Sequence, residues 1–150
     1  MIQRIQTVFL LLAVLCFLLP VFMSTGSLVT DGFVTGRIAG FMFTDAHGHV
    51  SLAAWPLPVL MYAASVVAVG AVFVYKRRKL QAQMCLVAIV AALAWYVALL
   101  LLSRSLGGDA SQFEPSFAVC LPAAGIVLTF MARRAILADE RLVRSLDRLR

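Results

Sequence analysis

Ionisable side chains are scarce in this chain of 150 residues, and four long stretches have none. Charged residues make up 13% of the chain, about half of ordinary soluble usage, while hydrophobic ones reach 63% and mean hydropathy is +0.97. A single small domain cannot hide that much apolar surface from water, so lipid is the expected solvent. The missing Asp, Glu, Lys, Arg and His in the four stretches also remove the groups that form proton relays, ion paths and coupled-transport sites. Haem held within a membrane wants a histidine on a helix, and both histidines of this chain, His47 and His49, lie elsewhere. Intramembrane hydrolysis wants a nucleophile beside a base, or a liganded metal, and the stretches offer neither. Pumps, coupled transporters, haem electron carriers and intramembrane proteases are disfavoured, and a non-enzymatic protein without a cofactor is expected.

Cysteine is equally uninformative as chemistry. Cys16, Cys85 and Cys120 all fall inside apolar stretches, away from loops where a disulfide framework would form, and no C-x-x-C pair exists. They read as small buried apolar residues.

What is present is apolar and blocked. The charge-free stretches Ile5–Met23, Leu52–Tyr75, Leu80–Leu102 and Ser116–Ala132 each match the roughly 17–25 residues that a helix needs to cross a bilayer. Helices satisfy their own backbone where no water is available, and continuous rather than alternating apolarity argues against a β-barrel. The predicted fold is an all-α membrane protein: a four-helix transmembrane bundle, up-down-up-down, with spans at about 5–23, 52–75, 80–102 and 116–135. Loops 24–51 and 103–115 then lie outside the cytoplasm, and loop 76–79 and tail 136–150 within it. Arg4, the first apolar run and Ser24-Thr25-Gly26-Ser27 have the layout of a secretory leader. However, the run is long, Pro20 sits late in it, no Ala-x-Ala follows, and Leu15 before Cys16 does not suit a lipoprotein. The run is expected to be retained as a span.

Orientation follows from the cations. Arg4, Lys76, Arg77, Arg78, Lys79, Arg133, Arg134, Arg141, Arg144, Arg148 and Arg150 share one side, and only Arg37 and Arg104 lie on the other. The positive-inside rule makes the first side cytoplasmic, with both termini there. Lys76, Arg77, Arg78, Lys79, Arg133 and Arg134 are the candidate contacts for anionic inner-leaflet headgroups, each worth about 1 kcal/mol near the surface. Nucleic acid is not expected, because Asp139, Glu140 and Asp147 interrupt the Arg-rich tail and no aromatic there can stack on a base.

The first loop differs from the others. Leu28-Val29-Thr30, Asp31-Gly32, Phe33-Val34-Thr35 and then Ile38–Thr44 alternate strand-like residues with turn signals, predicting a small extracytoplasmic β-meander. Asp45, His47 and His49 stand at every second position, which on a regular strand would make a carboxylate–imidazole metal set. They coincide with the predicted His47-Gly48 turn, where alternation fails and no fourth ligand is near, so a solvated turn is the preferred reading and no metal is expected. The loop 103–115 reads as a short polar connection turning at Gly107-Gly108-Asp109.

On the helices, Ala64, Ala68 and Ala71 share a face, and Ala88, Ala91, Ala92, Ala94 and Ala98 line much of the third span; packing within the monomer is preferred over a dimer face. Trp55 suits an interface anchor, whereas Trp95 and Tyr96 lie deeper. Pro20, Pro56, Pro58 and Pro122 cluster toward the extracytoplasmic helix ends. Arg4-Ile5-Gln6 opens the first span and Lys79-Leu80-Gln81 the third, the faint echo of a duplicated hairpin, although the positive-inside rule alone would also put cations there. After Arg133, Ile136, Leu142, Val143, Leu146 and Leu149 recur at helical spacing, so the fourth helix should continue as an amphipathic extension. Asp139, Glu140, Arg144, Asp147 and Arg148 on it are the candidate contacts for a membrane or cytoplasmic protein partner.

Met1-Ile2-Gln3-Arg4-Ile5-Gln6, the central Lys76-Arg77-Arg78-Lys79-Leu80-Gln81 with Cys85 after it, and the ending Arg134-Ala135-Ile136, Asp139-Glu140, Leu142-Val143-Arg144-Ser145 and Asp147-Arg148-Leu149-Arg150 resemble a family of small four-span membrane proteins from Bacteroidota, catalogued as a domain of unknown function. The resemblance covers nearly the whole chain and implies a Gram-negative inner membrane, without an activity or catalytic residue. The expected role is a scaffold or accessory subunit of a larger inner-membrane assembly. The alternative is a binder or carrier of a lipid or other small apolar molecule through an outer-leaflet cavity. A pocket of several hundred cubic ångströms near the prolines would favour the carrier, and a close-packed bundle with an exposed apolar face the subunit.

Overall fold

A computed structural model describes the backbone of residues 2–75, 77–108 and 111–147, and the side chains of 6–75, 77–108 and 111–141. Four helices, α1 (Ile2–Phe22), α2 (Pro56–Phe73), α3 (Arg78–Gly107) and α4 (Cys120–Asp147), form a ring in which each packs chiefly against two others. Short 3-10 turns, Leu52–Ala54 and Phe117–Val119, lead into α2 and α4.

The all-α expectation with a small meander is overturned. One end of the bundle is capped by a five-stranded antiparallel sheet of β1 (Ser24–Thr30), β2 (Phe33–Ala39), β3 (Met42–Asp45), β4 (Val50–Ser51) and β5 (Gln112–Pro115), in the order β4-β3-β2-β1-β5. The sheet draws on both loops at that end: β5 comes from the supposed turn between α3 and α4 and pairs with β1, Gly26 opposite Pro115 and Leu28 opposite Phe113. Its four residues end in proline and hold one large apolar side chain, too little for periodicity to register, and its partner is distant in sequence. β1 also hides, because Ser24-Thr25-Gly26-Ser27 has loop composition yet forms ladder. The β1–β2 turn is the one that Asp-Gly announces: Asp31 (φ 53°) and Gly32 (φ 81°) sit in the left-handed region as a two-residue hairpin demands.

The sheet is fused to the bundle by a shared core. Ile38, Phe43 and Phe113 pack with Phe17, Leu57, Met61, Trp95 and Leu99, and the Tyr96 hydroxyl donates to the carbonyl of Val119 at 2.6 Å. Two glycines let rings lie flat on the strands. A Cβ on Gly36 would meet the Phe43 ring at 2.5 Å, and one on Gly26 would meet both the Phe113 ring and the Glu114 carbonyl at 2.6 Å.

Large and small side chains are distributed inside out compared with a soluble bundle. Ala64, Ala68 and Ala71 on α2, Ala88 and Ala92 on α3 and Ala132 on α4 are buried, while Leu11, Leu15, Val66, Phe73, Val90, Leu100 and Phe130 are exposed. Small residues inside let the helix backbones approach closely, and the large apolar side chains are left to the outside. Three segments, Leu52–Phe73, Arg78–Gly107 and Phe117–Arg141, are long and apolar enough to cross a membrane; the apolar run described in α1, Gln6–Phe22, is shorter.

The faint hairpin echo of the sequence is accompanied by buried positions that recur at helical spacing, at one offset between α1 and α3 and a different one between α2 and α4. At a constant offset between α1 and α3, Gln6 matches Gln81, Leu10 matches Cys85, Ala13 matches Ala88, Phe17 matches Ala92 and Pro20 matches Trp95, all buried. Between α2 and α4, Pro58 matches Pro122, Met61 matches Gly125, Ser65 matches Thr129 and Ala68 matches Ala132, again all buried. Ser65 donates its hydroxyl to the Met61 carbonyl and Thr129 to that of Gly125, each at 2.8 Å. Bonded within their own helix, these two hydroxyls are not left open in the apolar core.

Candidate functional site

Asp45, His47 and His49 do not come together as a site. They form the β3–β4 connection, in which Asp45 N–H donates to the His49 carbonyl (3.0 Å), Gly48 N–H to the Asp45 carbonyl (2.9 Å) and Ala46 N–H to Asp45 Oδ1 (2.8 Å). The Asp45 carboxylate is thus occupied in holding the turn, and both imidazoles face solvent. Among the described residues no cluster of three or more His, Cys, Asp or Glu side chains has metal-binding proximity.

The opposite, basic end of the bundle is more organised. Arg78 opens α3, and its Nη1 lies 3.0 Å from Oδ2 of Asp139 on α4, with both side chains mostly buried. The contact is a charge pair without hydrogen-bond alignment, so Nη1 keeps unmet donor capacity. Arg78, a headgroup candidate by sequence, and Asp139, a partner candidate, therefore face one another inside the molecule. Arg77, Lys79 and Arg134 are exposed; Arg133 is half-buried with its Nε enclosed and unpaired, and Glu140 is half-buried. Lys76 and Arg148 lie outside the described residues, as do the side chains of Arg144 and Asp147.

Two residues that sequence reasoning passed over join this group. Gln6 on α1 and Gln81 on α3 are only 5% and 6% exposed. With Thr7, Val72, Tyr75 and Arg78 they line a cavity of about 120 Å³ between α1, α2 and α3. The repeated Arg-Ile-Gln and Lys-Leu-Gln openings held the signal, since each glutamine follows its cation by two residues and turns inward.

At the sheet end, space is divided. Between Pro20, Thr25, Leu57, Pro58, Met61 and Trp95 the bundle closes to about 10 Å³. A shallow apolar groove of about 300 Å³ opens sideways between α2 and α3, lined by Pro56, Leu57, Ala98, Leu101, Leu102 and Ser105. Apolar side chains also stay exposed on the sheet itself: Phe33 (76%) and Val34 (55%) at the hairpin tip, and Met42, Val50 and Leu52 near β4.

No curated protein and no solved structure matches the chain. A family model described as Domain of unknown function (DUF4293) matches residues 2–149, from the first turn of α1 past the end of α4. With nearly its whole length so matched, the chain belongs to the DUF4293 family.

Proposed function

We propose that this is a non-enzymatic integral membrane protein that serves as scaffold or accessory subunit of a larger inner-membrane assembly. In this reading α2, α3 and α4 cross the bilayer. α1 crosses with them, because it packs on both α2 and α4 and exposes Val8, Leu11, Leu15 and Leu19 in line with their lipid faces. The basic end is cytoplasmic by the positive-inside rule, the sheet lies outside, and the resemblance to a Bacteroidota family favours a Gram-negative inner membrane. A reporter active only in the periplasm should work when inserted at the Asp31-Gly32 turn and stay silent when fused after Arg150. The reverse pattern would sink this orientation.

The observation that carries the role is the apolar surface on the sheet, beyond the helices. Phe33 and Val34 sit at a hairpin tip where neither the bundle core nor a helix covers them, and uncovered apolar surface of that kind marks contact with another protein. Purification in mild detergent should recover the native chain with a stoichiometric protein partner. The Phe33→Ser/Val34→Thr variant should insert normally and lose that partner. The second reading, a lipid carrier, has the sideways groove in its favour. A bound lipid displaced by Ala98→Phe, with no protein partner in either sample, would replace the subunit reading by the carrier.

A further inference from the structure

The cavity at the basic end contains an amide that the fold leaves unanswered. Nε2 of Gln6 is buried and has no acceptor among the described residues, although the side chain lines open space. A buried unmet donor is costly, and a leucine or methionine at this position would remove the cost. An acceptor from outside the chain removes it too. The room, about 120 Å³, equals the share of about four waters, enough for one tetrahedral oxyanion.

The lining favours an anion. Gln6 offers its amide N–H groups, Arg78 the unmet Nη1, and Tyr75 carries a hydroxyl. α3 begins at Arg78 with no side chain capping its first turn, so the positive end of a 30-residue helix points to the same place. Arg77 and Lys79 add surface charge at that end, and Tyr75, half exposed, leaves the cavity open to the exterior. The described lining of the cavity holds no carboxylate, and Asp139 beside it already shares Arg78.

From this arrangement we propose that the cavity binds a phosphate group, either the phosphate of a lipid headgroup or inorganic phosphate. The site does not depend on the accessory role proposed above. Gln6 and Gln81, matched between the two hairpins, reach it from α1 and α3. Phosphate there ties the start of the first hairpin to the start of the second, and Asp139 competes with it for the guanidinium.

The full-length chain in a nonionic maltoside provides the test, read as thermal unfolding while inorganic phosphate, or separately a short-chain phosphatidylglycerol, is titrated at constant ionic strength. The native chain should show a saturable rise in Tm. Gln6→Met, which keeps volume but removes the amide, should fold and need about tenfold more ligand or worse. Asp139→Asn should need less, because its competitor for Arg78 is gone, and Arg37→Gln, on β2 at the opposite end of the protein, should leave the titration nearly unmoved. Saturation with inorganic phosphate supports a free-phosphate site, and saturation with phosphatidylglycerol alone a headgroup site. A rise matched by chloride, no saturation with either ligand, or equal titrations for native, Gln6→Met and Asp139→Asn proteins would overturn the proposal and leave water as the occupant.

Discussion

Gly125→Val is expected to cost about 3 kcal/mol of stability, the upper end of the range for overpacking a close contact. A Cβ at Gly125 would stand 2.5 Å from the ring of Phe17, a fully buried side chain at the α1–α4 contact. The ring has no free direction, since it belongs to the core shared with Met61, Trp95 and Ile38. In the membrane setting proposed above, the contact itself rather than escape from water would hold the helices, so spreading α1 from α4 would lose most of what binds them. Unfolding with a denaturing detergent measures the loss. Phe17→Ala should be costly alone for the opposite reason, a void. Combined, the two changes should cost less than their sum, because the valine fills space that the ring vacates. A Gly125→Val protein as stable as the native one would mean that Phe17 does not occupy that notch.

Gly26→Val should act on the sheet and spare the helices. Its Cβ would meet the Glu114 carbonyl, backbone of the neighbouring strand, at 2.6 Å, and the Phe113 ring at the same distance. A ring end can swing; a paired carbonyl cannot move without opening the β1–β5 ladder. Because β5 is a four-residue edge strand, opening it is the cheapest response. Proteolytic cleavage between Ser111 and Ser116 should rise about a hundredfold if the opening free energy falls by about 3 kcal/mol. Helical circular dichroism should stay near native. Gly32→Ala is the contrast: nothing lies within 4 Å of the added Cβ, but φ is +81°, so it should strain the hairpin tip and leave β5 closed. Unchanged cleavage in Gly26→Val would contradict the register in which Gly26 faces Pro115.

The helices were legible because a charge-free run of twenty or so residues needs no partner to announce itself. The Asp31-Gly32 turn was legible for a similar reason, its backbone demand being local. The sheet was half legible. β2 and β3 carry aromatic and branched residues, but β5 becomes a strand only because β1 lies beside it, and no reading along the chain contains that proximity. The basic end shows the same limit. Arg78 and Asp139 were both recognised as charged positions, yet each was assigned to an external contact, since their pairing depends on how α3 and α4 meet. Gln6 and Gln81 register along the chain only as parts of the Arg-Ile-Gln and Lys-Leu-Gln openings. Only the ring of helices turns them inward together.

The pairing of β5 with β1 has a consequence for synthesis. β1 to β4 follow α1 directly and are complete before α2 is made, but the last strand follows only after all of α2 and α3. Until then the outer edge of β1, with Gly26 to Val29 unpaired, is an open template that any other extended segment could join. The arrival of the second hairpin closes it. β5 thus acts as a latch between an early and a late part of the chain, and a nascent protein stalled after α3 would expose the β1 edge as a line along which two copies could exchange strands.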